Sequence, residues 1–540
     1  MERASSTLTR FLARATLGLG LIALALPGGA SAAVLVKAPV DKDLSGRVAC
    51  VSLAGEDLSR LPGAPSLVFS AAVVPASGEL PEYCDVKGEV APQIAFEVRM
   101  PVRDWNGRYL QSGCGGFCGT INIAGANDAL TKGFAVAAGD MGHVGGMIQL
   151  PIWAESPDLR RDFGHRSTHV TAEAAKALVE RFYDRAPAFS YWRGCSTGGR
   201  QGLTEAQWYP GDFDGIIAGD PAFPGRLGGV YNIWEAQHLF TADGSPVFST
   251  REIDLLHRAV LRACDGLDGV KDGILSDPRA CRFDVATLLC RGAARGDCLT
   301  PLQVADAKAL YEGPRNSRGA LLSPGGEMFG SEAAWNWPGT LAFADGSARF
   351  LDFSPNPPSG FTYRDYDFDR DPARVRSDLA LYDPVPAGTA PDLISFARRG
   401  GRLIVYHGWA DQGVSPLNTL DYYAQVAARQ GGYDAVRAWF RVFMVPGMFH
   451  CRGGDAPNEF DLLPKMMAWV EKDRPPESVL AVQKDAKGAI VRERPLFPYP
   501  EYAAYNGTGD VNAASNWKAA RPARAPRDEI KWIWGPAAKR

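Results

Sequence analysis
Short apolar runs alternate along this chain with stretches whose hydrophobic positions recur every three to four residues. That alternation predicts a parallel sheet with helical crossovers. Tyr109-Leu110-Gln111 and Phe134 to Ala138 read as strands. Val170, Ala174, Leu178 and Phe182 repeat at helical spacing and predict a helix. Phe189 to Trp192 then reads as a strand, Gly198 to Trp208 as a helix and Ile216 to Ala218 as a strand. The next core strand is Leu403 to Tyr406. After it come a helix near Leu420 to Ala428, a strand at Phe440 to Val445 and a helix at Leu462 to Lys472.

Between residues 220 and 400 the pattern changes. Helices are expected at Glu252 to Cys264 and, with Thr300 as cap and Pro301 in the first turn, at Leu302 to Tyr311. The rest is rich in Gly, Pro, Asp and aromatic residues. A structureless loop longer than about 15 residues is uncommon. The interval therefore reads as a domain inserted between neighbouring strands, with 223–390 inserted and 33–222 plus 391–540 forming a split α/β core. The tail after about Ala513, rich in Ala, Arg, Lys and Pro, is expected to pack loosely.

The first 32 residues read as an export signal. Arg3, Arg10 and Arg14 precede an apolar or small stretch from Ala15 to Leu26, and Ala30-Ser31-Ala32 fits a small-x-small cleavage site. A bilayer span needs about 20 apolar residues, and no run reaches that. The mature chain is expected to be secreted or periplasmic, with no membrane partner. Composition agrees with a globular protein: 46% hydrophobic and 22% charged. Lys+Arg 58 against Asp+Glu 61 leaves no basic excess for a nucleic-acid footprint.

Export decides how the 10 cysteines are read, because an even set in an oxidising compartment suggests disulfides. Spacing suggests Cys50 with Cys84, Cys114 with Cys118, Cys264 with Cys281 and Cys290 with Cys298. Cys195 and Cys451 remain, far apart in the chain. Connectivity does not follow from sequence alone, and zinc on Cys114 and Cys118 is a competing reading. No second pair with finger-like spacing supports it.

Gly194-Cys195-Ser196-Thr197-Gly198-Gly199 lies between an expected strand and an expected helix and fits the G-x-S-x-G elbow. Glycines at the flanking positions let a sharp turn approach neighbouring backbone. The turn places Ser196 at a helix N-terminus, where the Thr197 N–H is a candidate oxyanion donor. His450, in the loop after the Phe440 to Val445 strand, is the candidate base. Asp411, just past the strand ending at Tyr406, is the candidate acid. The order Ser196, Asp411, His450 is the α/β-hydrolase order. Cys195 precedes Ser196, and Cys451 follows His450. If the two cysteines pair, the Ser196 and His450 Cα atoms lie within about 14 Å of each other.

Gly194 to Gln201, Tyr406 to Asp411 and the His450-Cys451 dipeptide resemble the tannase/feruloyl esterase family of α/β-hydrolases, over about residues 40 to 510. The resemblance implies a serine esterase with a lid inserted after the nucleophile unit. It implies Ser196 as nucleophile, Asp411 as orienting acid and His450 as base. A second oxyanion donor is expected from Gly113 to Gly116, where family members carry a G-x-G-G stretch, with Gly115 favoured over Gly116. Asp265, Asp268 and Asp272 alternate with glycine and offer hard oxygen ligands, to which Val270 and Ile274 add carbonyls. The resemblance points to structural Ca²⁺ in that loop, which Cys264 and Cys281 bracket. The expected partner is a small ester of an aromatic acid of feruloyl, galloyl or terephthaloyl type. Among the aromatics of the inserted segment, Trp335 and Trp337 are the candidate ring contacts. The rival readings are a peptidase or lipase with the same triad, and a non-catalytic, calcium-stabilised secreted binding protein.

Overall fold
The computed structural model describes residues 44–222, 229–292, 296–379, 391–522, 528 and 530–533. The expected export signal, residues 1–32, lies outside the described residues. Nine strands form one sheet: β1 (Ser66–Val74), β2 (Tyr83–Val90), β3 (Ile94–Pro101), β4 (Arg108–Ser112), β5 (Ala135–Gly139), β6 (Phe189–Cys195), β7 (Gly215–Gly219), β8 (Arg402–Gly408) and β9 (Phe440–Val445). Their spatial order is β1-β2-β3-β5-β4-β6-β7-β8-β9. The pairs along β1 to β3 and between β3 and β5 are antiparallel. From β5 to β9 every pair is parallel.

The apolar runs of β4 to β9 follow from burial on both faces. Successive side chains point to opposite faces, so these strands feed two cores. Trp192, Leu403, Val405, Phe440 and Val442 enter one core, together with Leu178 and Phe182 of the helix Ser167–Tyr183 and Leu420 and Val426 of the helix Pro416–Arg429. Tyr191, Ile217, Ile404, Phe443 and Val445 enter the other, against Met466 and Trp469 of the helix Leu463–Lys472. The expected core strands and helices are all present, displaced at most by a few residues.

β7 and β8 pair directly, Gly215 opposite Arg402 through Gly219 opposite Tyr406, although a long segment separates them in the chain. Its helices include Val230–Leu239, Thr250–Cys264, Pro301–Glu312 and Gly339–Gly346. The Pro301–Glu312 helix starts as expected: Thr300 Oγ1 accepts from the Gln303 N–H, and Gln303 Oε1 accepts from the Thr300 N–H. The segment buries apolar clusters of its own, one around Ile233, Ala344 and Phe353, another around Phe248, Leu256 and Leu310.

The described part of the tail is not loose. Trp517–Ala520 pairs with Tyr502–Tyr505. Trp517 is buried beneath the Arg494 guanidinium, which lies 3.4 Å from the ring centre. Asp528 is buried, accepting from the hydroxyls of Tyr433 and Tyr499 and pairing with Arg279 at 2.7 Å. A composition rich in small and basic residues conceals these aromatic and charged anchors.

Candidate active site
β6 ends at Cys195, and the helix Thr197–Trp208 begins two residues later. Ser196 bridges them with φ 61° and ψ −120°, a conformation that costs a non-glycine residue on the order of 1–3 kcal/mol. Its backbone is held on both sides. The Ser196 N–H donates to Gly219 O at 2.9 Å, and its carbonyl accepts from the Ala222 N–H at 3.1 Å. The flanking glycines are steric requirements. A Cβ on Gly194 would lie 2.7 Å from Gly198 backbone, and one on Gly199 would lie 2.2 Å from Gly219 O.

The loops after β8 and β9 bring the other two candidates together. His450 Nδ1 lies 2.7 Å from Asp411 Oδ2, and Asp411 is fully buried. Asp411 Oδ1 accepts from the N–H groups of Gly413 and Val414 at 2.8 and 2.9 Å. This carboxylate leaves His450 Nδ1 as a donor and Nε2 free. Burial alone would lower the basicity of His450, but the charge of Asp411 and its hydrogen bond outweigh that and raise it. Burial opposes ionisation of Asp411, yet the two imidazoles and their hydrogen bonds hold it far below the usual carboxylate range. Ser196 and His450 front the same cavity.

Cys195 and Cys451 are bonded, with Cα atoms 6.0 Å apart. The other four disulfides follow the pairs that spacing suggests. Cys114 and Cys118 are thus joined to each other, which removes the zinc reading.

Two further buried groups surround Asp411. His407 Nε2 lies 3.1 Å from Asp411 Oδ2 and 3.0 Å from Val414 O, and its Nδ1 lies 2.8 Å from Thr419 Oγ1. Two acceptors at Nε2 make that nitrogen the proton carrier and Nδ1 an acceptor. Asp220, fully buried after β7, accepts from the Gly408 N–H at 2.9 Å. Burial, reinforced by Asp411, pushes the Asp220 carboxyl up to about 7. The spacing of four residues from His407 to Asp411 was a usable signal for the first. Only the pairing of β7 with β8 brings in Asp220.

The cavity also resolves the remaining candidates. Thr197 and Gly116 line it, and Thr197 Oγ1 donates to Gly116 O at 2.7 Å. Gly115, the favoured glycine, is not among the lining residues; its neighbour Gly116 takes that place. Trp337 lines the cavity together with Phe117, Phe163 and Phe343. Trp335 does not, and its reading as a ring contact is corrected. It is 1% exposed, packs edge-on against Phe248, and donates its indole N–H to Ser331 Oγ at 2.9 Å. Two residues of chain are enough to turn one tryptophan into a core and leave the other at a cavity.

The acidic loop is compact. Asp265 Oδ1 accepts from the N–H groups of Asp272 and Gly273, Asp268 Oδ1 from Val270 and Asp272 Oδ1 from Ile274. Asp272 Oδ2 pairs with the buried Arg494 at 2.7 Å. Burial pushes the Asp268 carboxyl up, and the charges of Asp272 and Asp265 add to this against the hydrogen bond from Ser276. Ser276 Oγ donates to Asp268 Oδ2 at 2.6 Å, and among the described residues these three carboxylates are not a group whose oxygens all lie within 4.8 Å of one another.

The family model for tannase and feruloyl esterase matches residues 77–520. The chain belongs to the tannase and feruloyl esterase family. It is 34% identical to the mono(2-hydroxyethyl) terephthalate hydrolase of Piscinibacter sakaiensis, covering 89% of this chain and 92% of that one. It is also 34% identical to a probable feruloyl esterase B of Emericella nidulans, over 79% and 83% of the two chains. The crystal structure of feruloyl esterase B from Aspergillus oryzae superposes with TM-score 0.78 at 25% identity, covering 87% of this chain and all of that one. Like other members of the tannase and feruloyl esterase family, this protein is a carboxylic ester hydrolase with an α/β-hydrolase fold. Among the described residues, no helix is long and apolar enough to cross a membrane.

Proposed function
We propose that the protein is an exported serine esterase that hydrolyses esters of aromatic acids through Ser196, His450 and Asp411. The observation that carries this reading is the 2.7 Å contact of His450 with buried Asp411 at a cavity that Ser196 shares. His450 Nε2 takes the Ser196 proton as Oγ attacks the ester carbonyl, and returns a proton to the leaving alcohol. Asp411 keeps Nδ1 protonated and stabilises the imidazolium. The N–H groups of Thr197 and Gly116 are the proposed oxyanion donors, each worth about 3 kcal/mol. Water then resolves the acyl-enzyme by the same steps in reverse. The cavity's aromatic wall supports a feruloyl, galloyl or terephthaloyl acyl group. The test is a panel of aryl, long-chain alkyl and peptide substrates with a fluorophosphonate probe. The aryl esters should be preferred and Ser196 labelled; equal rates on long-chain esters would overturn the acyl assignment.

The two tryptophans should separate in such a panel. Trp337→Ala should raise KM for aryl esters roughly tenfold with little change in melting temperature. Trp335→Ala should cost about 3–5 kcal/mol of stability in urea unfolding, because it empties a packed core site.

The Asp265, Asp268 and Asp272 carboxylates with the Val270 and Ile274 carbonyls form the proposed Ca²⁺ site. When bound, the ion would draw the three carboxylates together and tie down the loop; no catalytic role is assigned to it. Chelation should lower the melting temperature by several degrees, and added Ca²⁺ should restore it. An unchanged melting temperature after exhaustive chelation counts against the site.

A further inference from the structure
The inserted segment buries two carboxyl groups that the proposed reaction does not use. Glu235, on the helix Val230–Leu239, and Glu327, in the loop before Ser331, are each 1% exposed. They lie within hydrogen-bonding reach of each other. Yet Oε1 of each meets no donor. Two ionised carboxylates are both acceptors, so this contact becomes a hydrogen bond only when one of them carries a proton.

The hydrogen bonds that reach the pair come from neutral groups. Glu327 Oε2 accepts from Ser331 Oγ at 2.6 Å, whose own oxygen accepts from the Trp335 indole. Glu235 Oε2 accepts from Asn232 Nδ2 at 3.2 Å. Tyr231 stands beside Glu235 but is outside hydrogen-bond geometry, and the Tyr311 hydroxyl donates to Glu332 Oε1 at 2.7 Å. The other charged groups that act on the pair are Asp411, which opposes its ionisation, and His450, whose cation Glu235 favours. Burial and the charge of Asp411 push both carboxyls up; Glu235 adds to this at Glu327, whereas the contact with Glu327 opposes it at Glu235.

The pair is wired to the acid loop. Asn232 Nδ2 donates to Glu235 Oε2 and also to Gly413 O at 3.1 Å. Gly413 N–H in turn donates to Asp411 Oδ1. Next to Glu327, Gly326 O accepts from Ser415 Oγ at 3.1 Å, at the far end of the same loop.

We infer that Glu235 and Glu327 share one proton, and that this hydrogen-bonded pair is a positioning element that clamps the inserted segment onto the loop carrying Asp411. The inference rests on the reading of Asp411 and His450 as acid and base. Loss of the shared proton at high pH leaves two like charges in contact within a buried site, which forces the pair apart and loosens Asn232 from Gly413. Activity should therefore show an alkaline limb that belongs to the pair and not to either residue alone.

Glu327→Gln and Glu235→Gln each keep a donor between the two side chains and cannot lose it by titration. In the full-length enzyme each should move the alkaline limb of kcat upward by about one pH unit or more, with KM unchanged. Folded variants with the wild-type alkaline limb would overturn the inference. The wild type alone provides a second reading, which holds if a glutamine variant does not fold. Difference infrared spectra during alkaline titration should show loss of a protonated carboxyl C=O stretch in parallel with loss of kcat. Absence of that band also overturns the inference. Ser196→Ala should lose turnover yet retain the band, so failure of the triad reading and failure of the shared proton give different results.

Discussion

Ser196→Ala is expected to fold with the melting temperature of the parent and to lose ester hydrolysis by about 10⁴-fold to 10⁶-fold in kcat. The hydroxyl forms the acyl bond, and an alanine methyl has nothing to replace it; what remains is catalysis by the oxyanion donors and by binding. The alanine also removes no packing, since the strained backbone at φ 61° is fixed by Gly219 and Ala222 and not by the side chain. His450→Ala should cause a loss of the same order, and the double variant should be little worse than either single one, because the two groups act as one unit. Asp411→Asn should cost about 10⁴-fold. Its pH dependence provides a separate check. His450 is active as a base only when neutral, and Asp411 raises its pKa. Wild-type kcat/KM should therefore fall as pH drops through a value above the ordinary histidine range. In Asp411→Asn that acid limb should move down, since the charge that raises the pKa is gone. Measuring kcat/KM against pH for both proteins checks the sign. An acid limb that stays in place, or a Ser196→Ala enzyme with substantial turnover, would remove Ser196 and Asp411 from their roles.

What was readable in the sequence, and what was not, divides along physical lines. β6 to β9 are buried on both faces, so each is an unbroken apolar run such as Phe440–Val445, visible without any partner. The antiparallel strands β1 to β3 were missed. β1 is an edge strand that leaves Leu67, Phe69 and Val73 more than 40% exposed, so its apolar residues do not report which face is buried. The proposed nucleophile and base were legible because each is adjacent to a cysteine, and the glycines around Ser196 have one steric explanation. The environment of the acid was only half legible. His407 lies in the same short stretch as Asp411, whereas Asp220 reaches it from the neighbouring strand. Trp335 and Trp337 are indistinguishable by type and spacing; only packing against Phe248 and Tyr311 commits the first to the core. Glu235 and Glu327 read as ordinary charged residues, and their burial is a property of the folded insertion alone.

The second large effect should come from breaking the Cys195–Cys451 bond. In the sheet, β6 and β9 are separated by β7 and β8. Three strand spacings of about 4.8 Å put their axes about 14 Å apart, too far for the two catalytic side chains to meet without loops that bend towards each other. The disulfide fixes that bend, with Cα atoms 6.0 Å apart immediately beside Ser196 and His450. It also closes the longest loop of the five, 256 residues in sequence separation against 34 for the next. The chain-entropy account then places its contribution near the upper end of the usual range, about 5 kcal/mol. Cys195→Ala with Cys451→Ala should lower the urea midpoint accordingly. In the fraction that remains folded it should reduce kcat on the order of 10²-fold, because a displacement of about 1 Å between nucleophile and base is enough for that. The matched control is Cys290→Ala with Cys298→Ala, which opens a loop of separation 8 remote in sequence from the triad. That variant should lose less stability and keep its kcat. If both double variants showed the same kcat as the parent, the sheet and loops alone would hold Ser196 and His450 in register, and the crosslink would serve stability without serving the reaction.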